Sequence, residues 1–131
     1  MARTISTFLM FDGMAEEAMT FYVSLFERSA VTHVERYGPG EAGKEGTLKR
    51  AHFTLGGHEL MALDSPVKHA FTFTPSMSLF VECESAAEQA RAFEALSQGG
   101  QVLMPLDAYG FSTRFAWVND RFGVSWQLNL A

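Results

Sequence analysis

The 131-residue chain has a single cysteine, Cys83, which excludes an internal disulfide and fits a reducing compartment. It contains no uninterrupted apolar run of membrane-spanning length. Its first residues, Met-Ala-Arg-Thr-Ile, lack the apolar stretch and cleavage site of a secretory signal, so a cytoplasmic protein is expected. Its ten Lys and Arg residues are outnumbered by fifteen Asp and Glu, for a net charge of −5, and they form no cluster. A nucleic-acid backbone or an anionic membrane surface rewards a gathered basic face, so neither is an expected partner. No Gly-rich strand-to-helix loop with an acidic residue beyond it is present, which argues against a nucleoside cofactor. With only four prolines, the one segment that reads as a linker is Pro66 to Pro75.

What the chain does contain is a segment that occurs twice. Ser6 through Asp64 and Ser76 through Asn129 read as two versions of one module. Ser6-Thr-Phe-Leu-Met-Phe-Asp12 lies over Ser76-Met-Ser-Leu-Phe-Val-Glu82, and each is followed by a helical run. In the first helix Ala18, Phe21, Tyr22 and Leu25 recur at i, i+3, i+4 and i+7. In the second, Ser85 and Glu88 form a capping box ahead of a stripe carrying Ala90, Phe93 and Leu96, and Gly99-Gly100 stops the helix. Each helix is followed by three strand candidates, separated in the first copy by a polar, Gly-rich loop at Glu41 to Gly46 that reads as mobile and by a Gly56-Gly57 hairpin. The expected fold is therefore α+β: a single domain, residues 1–131, of two tandem βαβββ modules at about 1–65 and 76–131. The two modules are expected to curl as half-barrel sheets around a cavity, because a sheet with one helix covers only one of its faces.

Strand alternation then proposes which residues face that cavity. Setting Leu60-Met-Ala-Leu-Asp64 against Ser125-Trp-Gln-Leu-Asn129 matches Leu60 with Ser125, Ala62 with Gln127 and Asp64 with Asn129. That parity holds the polar members and is assigned to the cavity. Met61, Leu63, Trp126 and Leu128 would then pack under the helices, and Trp117 joins them on the core side. The preceding strands place Arg50 opposite Arg114 and His52 opposite Ala116.

The chain resembles the PhnB-like branch of the vicinal-oxygen-chelate superfamily, which includes glyoxalase I, bleomycin-resistance proteins and extradiol dioxygenases. The resemblance rests on Phe8-Leu-Met-Phe-Asp-Gly-Met-Ala-Glu-Glu-Ala-Met-Thr-Phe-Tyr22, Gly56-Gly-His-Glu-Leu-Met-Ala-Leu-Asp64 and Asn119-Asp-Arg-Phe-Gly-Val-Ser-Trp-Gln127. It covers the whole chain and implies the duplicated fold and a homodimer. In metal-dependent members the ligands are His or Glu on the first and last strands of each module. Those places here are Ser6, Ala62, Ser76 and Gln127, a set without a carboxylate or imidazole, so no metal and no cofactor are expected.

The candidate ligand contacts are His52, Asp64, Arg114, Gln127, Ser6, Ser76 and Arg50. His52 lies mid-strand, where it can act as acid or base or serve as a hydrogen-bonded structural residue. Asp64 can orient a ligand or cap the turn at Ser65-Pro66. Arg50 and Arg114 can hold an anion or stay solvated. Asp120 reads as a turn cap, with Gly123 at positive φ. Three functions remain open: a metal-independent small-molecule-binding protein, an enzyme with His52 as acid/base, and a metal-dependent lyase or dioxygenase with unusual ligands.

Overall fold

A computed structural model describes residues 1–131. In chain order the elements are β1 (Thr7–Phe11), α1 (Ala15–Leu25), β2 (Ala30–Arg36), β3 (Leu48–Leu55) and β4 (His58–Asp64), then β5 (Leu79–Glu82), α2 (Ala86–Ser97), β6 (Gln101–Tyr109), β7 (Ser112–Asn119) and β8 (Ser125–Leu130). They form two compact units, Met1–His69 and Ala70–Ala131, each a βαβββ arrangement. The first sheet runs β1-β4-β3-β2 and the second β5-β8-β7-β6. In each, the first strand lies parallel to the last and the other pairs are antiparallel. The α+β duplication read from the sequence is present, and neither sheet closes on itself.

Local chemistry explains the element boundaries. Gly56 and Gly57, both at positive φ, make the β3–β4 hairpin. At the start of α2 the Ser85 hydroxyl accepts from the Glu88 amide at 3.1 Å, while the Glu88 carboxylate accepts from the Glu84 amide at 2.9 Å. The buried stripe of α2 is Gln89, Ala92 and Leu96, one residue out of phase with the expected Ala90 and Phe93. Gln89 takes the inward place because its amide donates to the carbonyls of Arg114 and Leu128, at 2.9 and 3.1 Å. In α1 the buried residues are Ala15, Ala18, Met19 and Tyr22.

The Glu41 to Gly46 loop, read from the sequence as mobile, is held by hydrogen bonds at its base and within it. Tyr37 exchanges backbone hydrogen bonds with Gly46 and Thr47, and Glu41 accepts from the Gly38 amide and from Lys49. The Lys49 hydrogen bond, then the Gly38 amide, hold the Glu41 carboxyl below its ordinary pKa. Gly43 lies against the Tyr37 ring, where a Cβ would come within 2.2 Å of the ring.

Register corrects the expected parity of the first unit. Thr7 pairs with Leu60, Leu9 with Ala62 and Phe11 with Asp64 across β1 and β4. Leu9, Phe11, Leu60, Ala62 and Asp64 are buried on the face that carries α1, while Met61 and Leu63 point the other way. In the second unit Ala116, Val118, Trp126 and Leu128 are buried on the helix face, as expected for Trp126 and Leu128. The sequence alignment that set Ala62 beside Gln127 therefore does not hold, since Ala62 is buried on the helix face while Gln127 shares the other face with Phe80 and Trp117.

Candidate functional site

Each sheet has one face without a helix, and cross-strand register lays its side chains out in rows. In the first unit one row runs Phe8, Met61, His52, His33 across all four strands. In the second unit a row runs Phe80, Gln127, Trp117, Met104 across all four strands. The next row of the second sheet is Glu82, Asn129, Phe115, Asp107.

His52 stays on the helix-free face, with its side chain 29% exposed and Nδ1 3.8 Å from Glu59 Oε1. The His33 ring stands edge-on to it at 5.7 Å, and His33 Nε2 lies 3.3 Å from Glu35 Oε1. Arg50 shares this face, paired with Glu35 and exposed. Gln127 also lies on a helix-free face, where its amide donates to the Ser78 hydroxyl at 2.8 Å. Ser6 is half-buried ahead of β1. Ser76 is exposed, with its hydroxyl 2.7 Å from that of Thr74.

Two candidates sit elsewhere. Arg114 pairs with Leu130 on the parity of Ala116 and so does not mirror Arg50. Asp64 is 3% exposed and lies on the helix face. Its Oδ1 accepts from the amides of Gly13 and Ala15 at 2.7 and 3.0 Å, and its Oδ2 from the Leu48 amide at 2.9 Å. One carboxylate thereby ties the start of α1 to the start of β3, and its backbone carbonyl accepts from the Tyr37 hydroxyl at 3.0 Å. That role differs from both readings of the sequence, since the amides it caps are far away along the chain. Asp120 plays the expected capping part in the second unit: Oδ1 accepts from Phe122 and Val124, and Oδ2 from the Trp126 indole at 2.9 Å. Gly123 has φ +93°. Trp117 is corrected from the core to the helix-free face, where its indole donates to Ser125 at 2.8 Å.

Of the four places read as metal positions, register moves one: Ala62 is buried on the helix face, and its neighbour Met61 takes the helix-free parity. The helix-free members of the mid-strand pairs are Phe8 with Met61 and Phe80 with Gln127. Aromatic rings, a thioether and a neutral amide do not suit a divalent cation that asks for about three imidazole or carboxylate donors. Within neither unit do three or more His, Cys, Asp or Glu side chains converge on one point. The residues present do not fit the metal.

Residues 3–129 match the family described as 3-demethylubiquinone-9 3-methyltransferase. The chain belongs to that family. It is 55% identical to a Bacillus cereus protein described as a putative 3-demethylubiquinone-9 3-methyltransferase, PhnB protein, covering 98% of this chain and all of that one, with a TM-score of 0.96. It is 30% identical to the protein PA1353 of Pseudomonas aeruginosa over 98% of both chains, with a TM-score of 0.86. The fosfomycin-resistance protein FosX of Listeria monocytogenes is 12% identical over 98% of this chain and 93% of its own, with a TM-score of 0.63, a likeness of fold. The relation to the vicinal-oxygen-chelate superfamily thus holds through both the family match and the architecture.

The cysteine is chemically quiet. Burial, then the nearby carboxylates of Glu88 and Glu82, push the Cys83 thiol up to about 11. A nucleophilic thiolate calls for the opposite environment.

Proposed function

We propose that this chain is a small-molecule-binding protein that takes its ligand on a helix-free sheet face, through aromatic and apolar contacts with a few polar groups and without a metal ion. The observation that carries this reading is the pairing of Phe8 with Met61 and Phe80 with Gln127 at mid-strand on the helix-free faces, where neither pair offers a cation an imidazole or carboxylate. Such side chains suit the lining of a site for a largely apolar molecule oriented by a few polar groups. His52, Arg50 and Gln127 are the polar groups of those faces that would orient it.

The family's methyltransferase description finds no support in the helix termini, where the anionic part of a nucleotide-like cofactor would be received. The amides of Gly13 and Ala15 at the start of α1 are taken by the Asp64 carboxylate. Those of Glu84 and Glu88 at the start of α2 are taken by Glu88 and Ser85. Both helix starts carry a carboxylate that would repel an incoming phosphate or carboxylate.

A thermal-stability screen against a small-molecule library, run with and without a chelator, tests the proposal. The expected result is stabilisation that survives the chelator, with the ligand recovered unchanged. Stoichiometric metal in untagged protein, whose removal abolishes ligand binding, would overturn it. The second reading, an enzyme using His52, is favoured by the contact geometry of His52 with Glu59 and His33. Turnover of a library compound that is lost in His52→Ala with the fold intact would establish it.

A further inference from the structure

We propose that the helix-free face of the second unit takes an organic cation, an amine or quaternary ammonium carried on an apolar body. This rests on the small-molecule reading above and names the class of ligand. Three aromatic rings gather on this face around Phe115. Phe111 meets it edge-on with centroids 4.9 Å apart, Tyr109 edge-on at 6.0 Å and Phe80 at 6.4 Å. Tyr109 and Phe111 stack at 5.7 Å across the tip of the β6–β7 hairpin, and the Tyr109 hydroxyl is fixed by donating to the Pro105 carbonyl. Phe115 is buried beneath the others, but Phe80 is 55% exposed and Phe111 69%. Ring faces carry partial negative charge and attract a cation that has shed its water.

Formal charge on the face agrees with the rings. The row through Phe115 ends in a carboxylate on each edge strand, Glu82 on β5 and Asp107 on β6. Each is oriented by a hydrogen bond: Glu82 Oε2 accepts from the Asn129 amide at 2.9 Å, and Asp107 Oδ1 from the Ala108 backbone at 2.7 Å. No strand of this unit places a basic side chain on that face. Arg114, the single Lys or Arg in β5 to β8, lies on the helix parity. An anion would meet two carboxylates and four ring faces with no compensating charge. A cation finds both kinds of partner in one place.

Calorimetric titration with benzyltrimethylammonium, benzyl alcohol and benzoate decides the matter. The expected result is that the ammonium binds at least about fivefold more tightly than the neutral or anionic compound, and that Glu82→Gln and Phe111→Leu, folded by circular dichroism, each weaken it severalfold. Equal binding of benzoate or benzyl alcohol would overturn the cation while leaving small-molecule binding intact. An ammonium that fails to bind, or binds the variants as well as the wild type, would overturn it also, and the library screen would still judge the wider reading. A wild-type dimer that Phe111→Asp dissociates would show a second copy covering the face, and that too overturns it.

Discussion

At the scale of single residues, the carboxylates show how a polar side chain misleads a reading by alternation. Asp64 and Asn129 look alike in sequence and anchor the alignment of the two halves, yet Asp64 is buried under α1 and Asn129 stands on a helix-free face. Polarity marks the open side of a strand only when the group is not spent inside the protein. Removing it should therefore be costly. Asp64→Ala leaves three buried or part-buried amides without acceptors and is expected to lower stability by about 3 kcal/mol or more, read from the urea midpoint. A loss below about 1 kcal/mol would contradict the role given to it. Cys83 supplies a pH test. Its folded pKa, about 11, lies above the ordinary thiol value, so the unfolded chain releases the proton first as pH rises. Its contribution to stability is thus fully present below about pH 8.5 and lost as pH climbs toward 11. Between pH 8 and 10.5 the wild type should lose stability more steeply than Cys83→Ala, and native protein should react only slowly with a thiol reagent at pH 8.

Among the elements, the capping box, the hairpin glycines and the order of strands and helices were legible, because each rests on chemistry between near neighbours. The faces of β8 were legible too, since Trp126 and Leu128 contrast with Ser125 and Gln127. Those of β4 were not. Leu60 and Ala62 differ little in apolar character from Met61 and Leu63, so periodicity had nothing to sort. The phase of α2 was hidden for a related reason: Gln89 is drawn inward by two sheet carbonyls that belong to later parts of the chain. The place of Trp117 in the candidate site was missed because the β7–β8 pairing sets it beside Gln127 and not beside Trp126, which neither strand shows alone. Two element-level tests follow. Ser85→Ala should cost about 1 kcal/mol by removing the acceptor for the Glu88 amide, measured by thermal or urea unfolding. Gly43→Ala should cost roughly 1–3 kcal/mol, because its Cβ would press on the Tyr37 ring and displace a hydroxyl bonded to the Asp64 carbonyl. An alanine tolerated there without loss would show that the Gly38–Thr47 loop is held less firmly than its hydrogen bonds imply.

For the whole molecule, the two units share an architecture while the mid-sheet rows of their helix-free faces differ in chemistry: Met61, His52 and His33 in one, Gln127, Trp117 and Met104 in the other. Neither row gathers three imidazole or carboxylate donors for a cation. Dialysis against a strong chelator should therefore leave the melting temperature unchanged within about 1 °C, since no metal-binding energy would be withdrawn from the folded state. A fall of several degrees would show that a bound ion supports the fold. The Asp64 carboxylate has a last consequence. The backbone hydrogens of Gly13, Ala15 and Leu48, spread over 36 positions of chain, share one acceptor group. In deuterated solvent they should be replaced in step, at a rate set by a single opening event, as if they belonged to one short peptide.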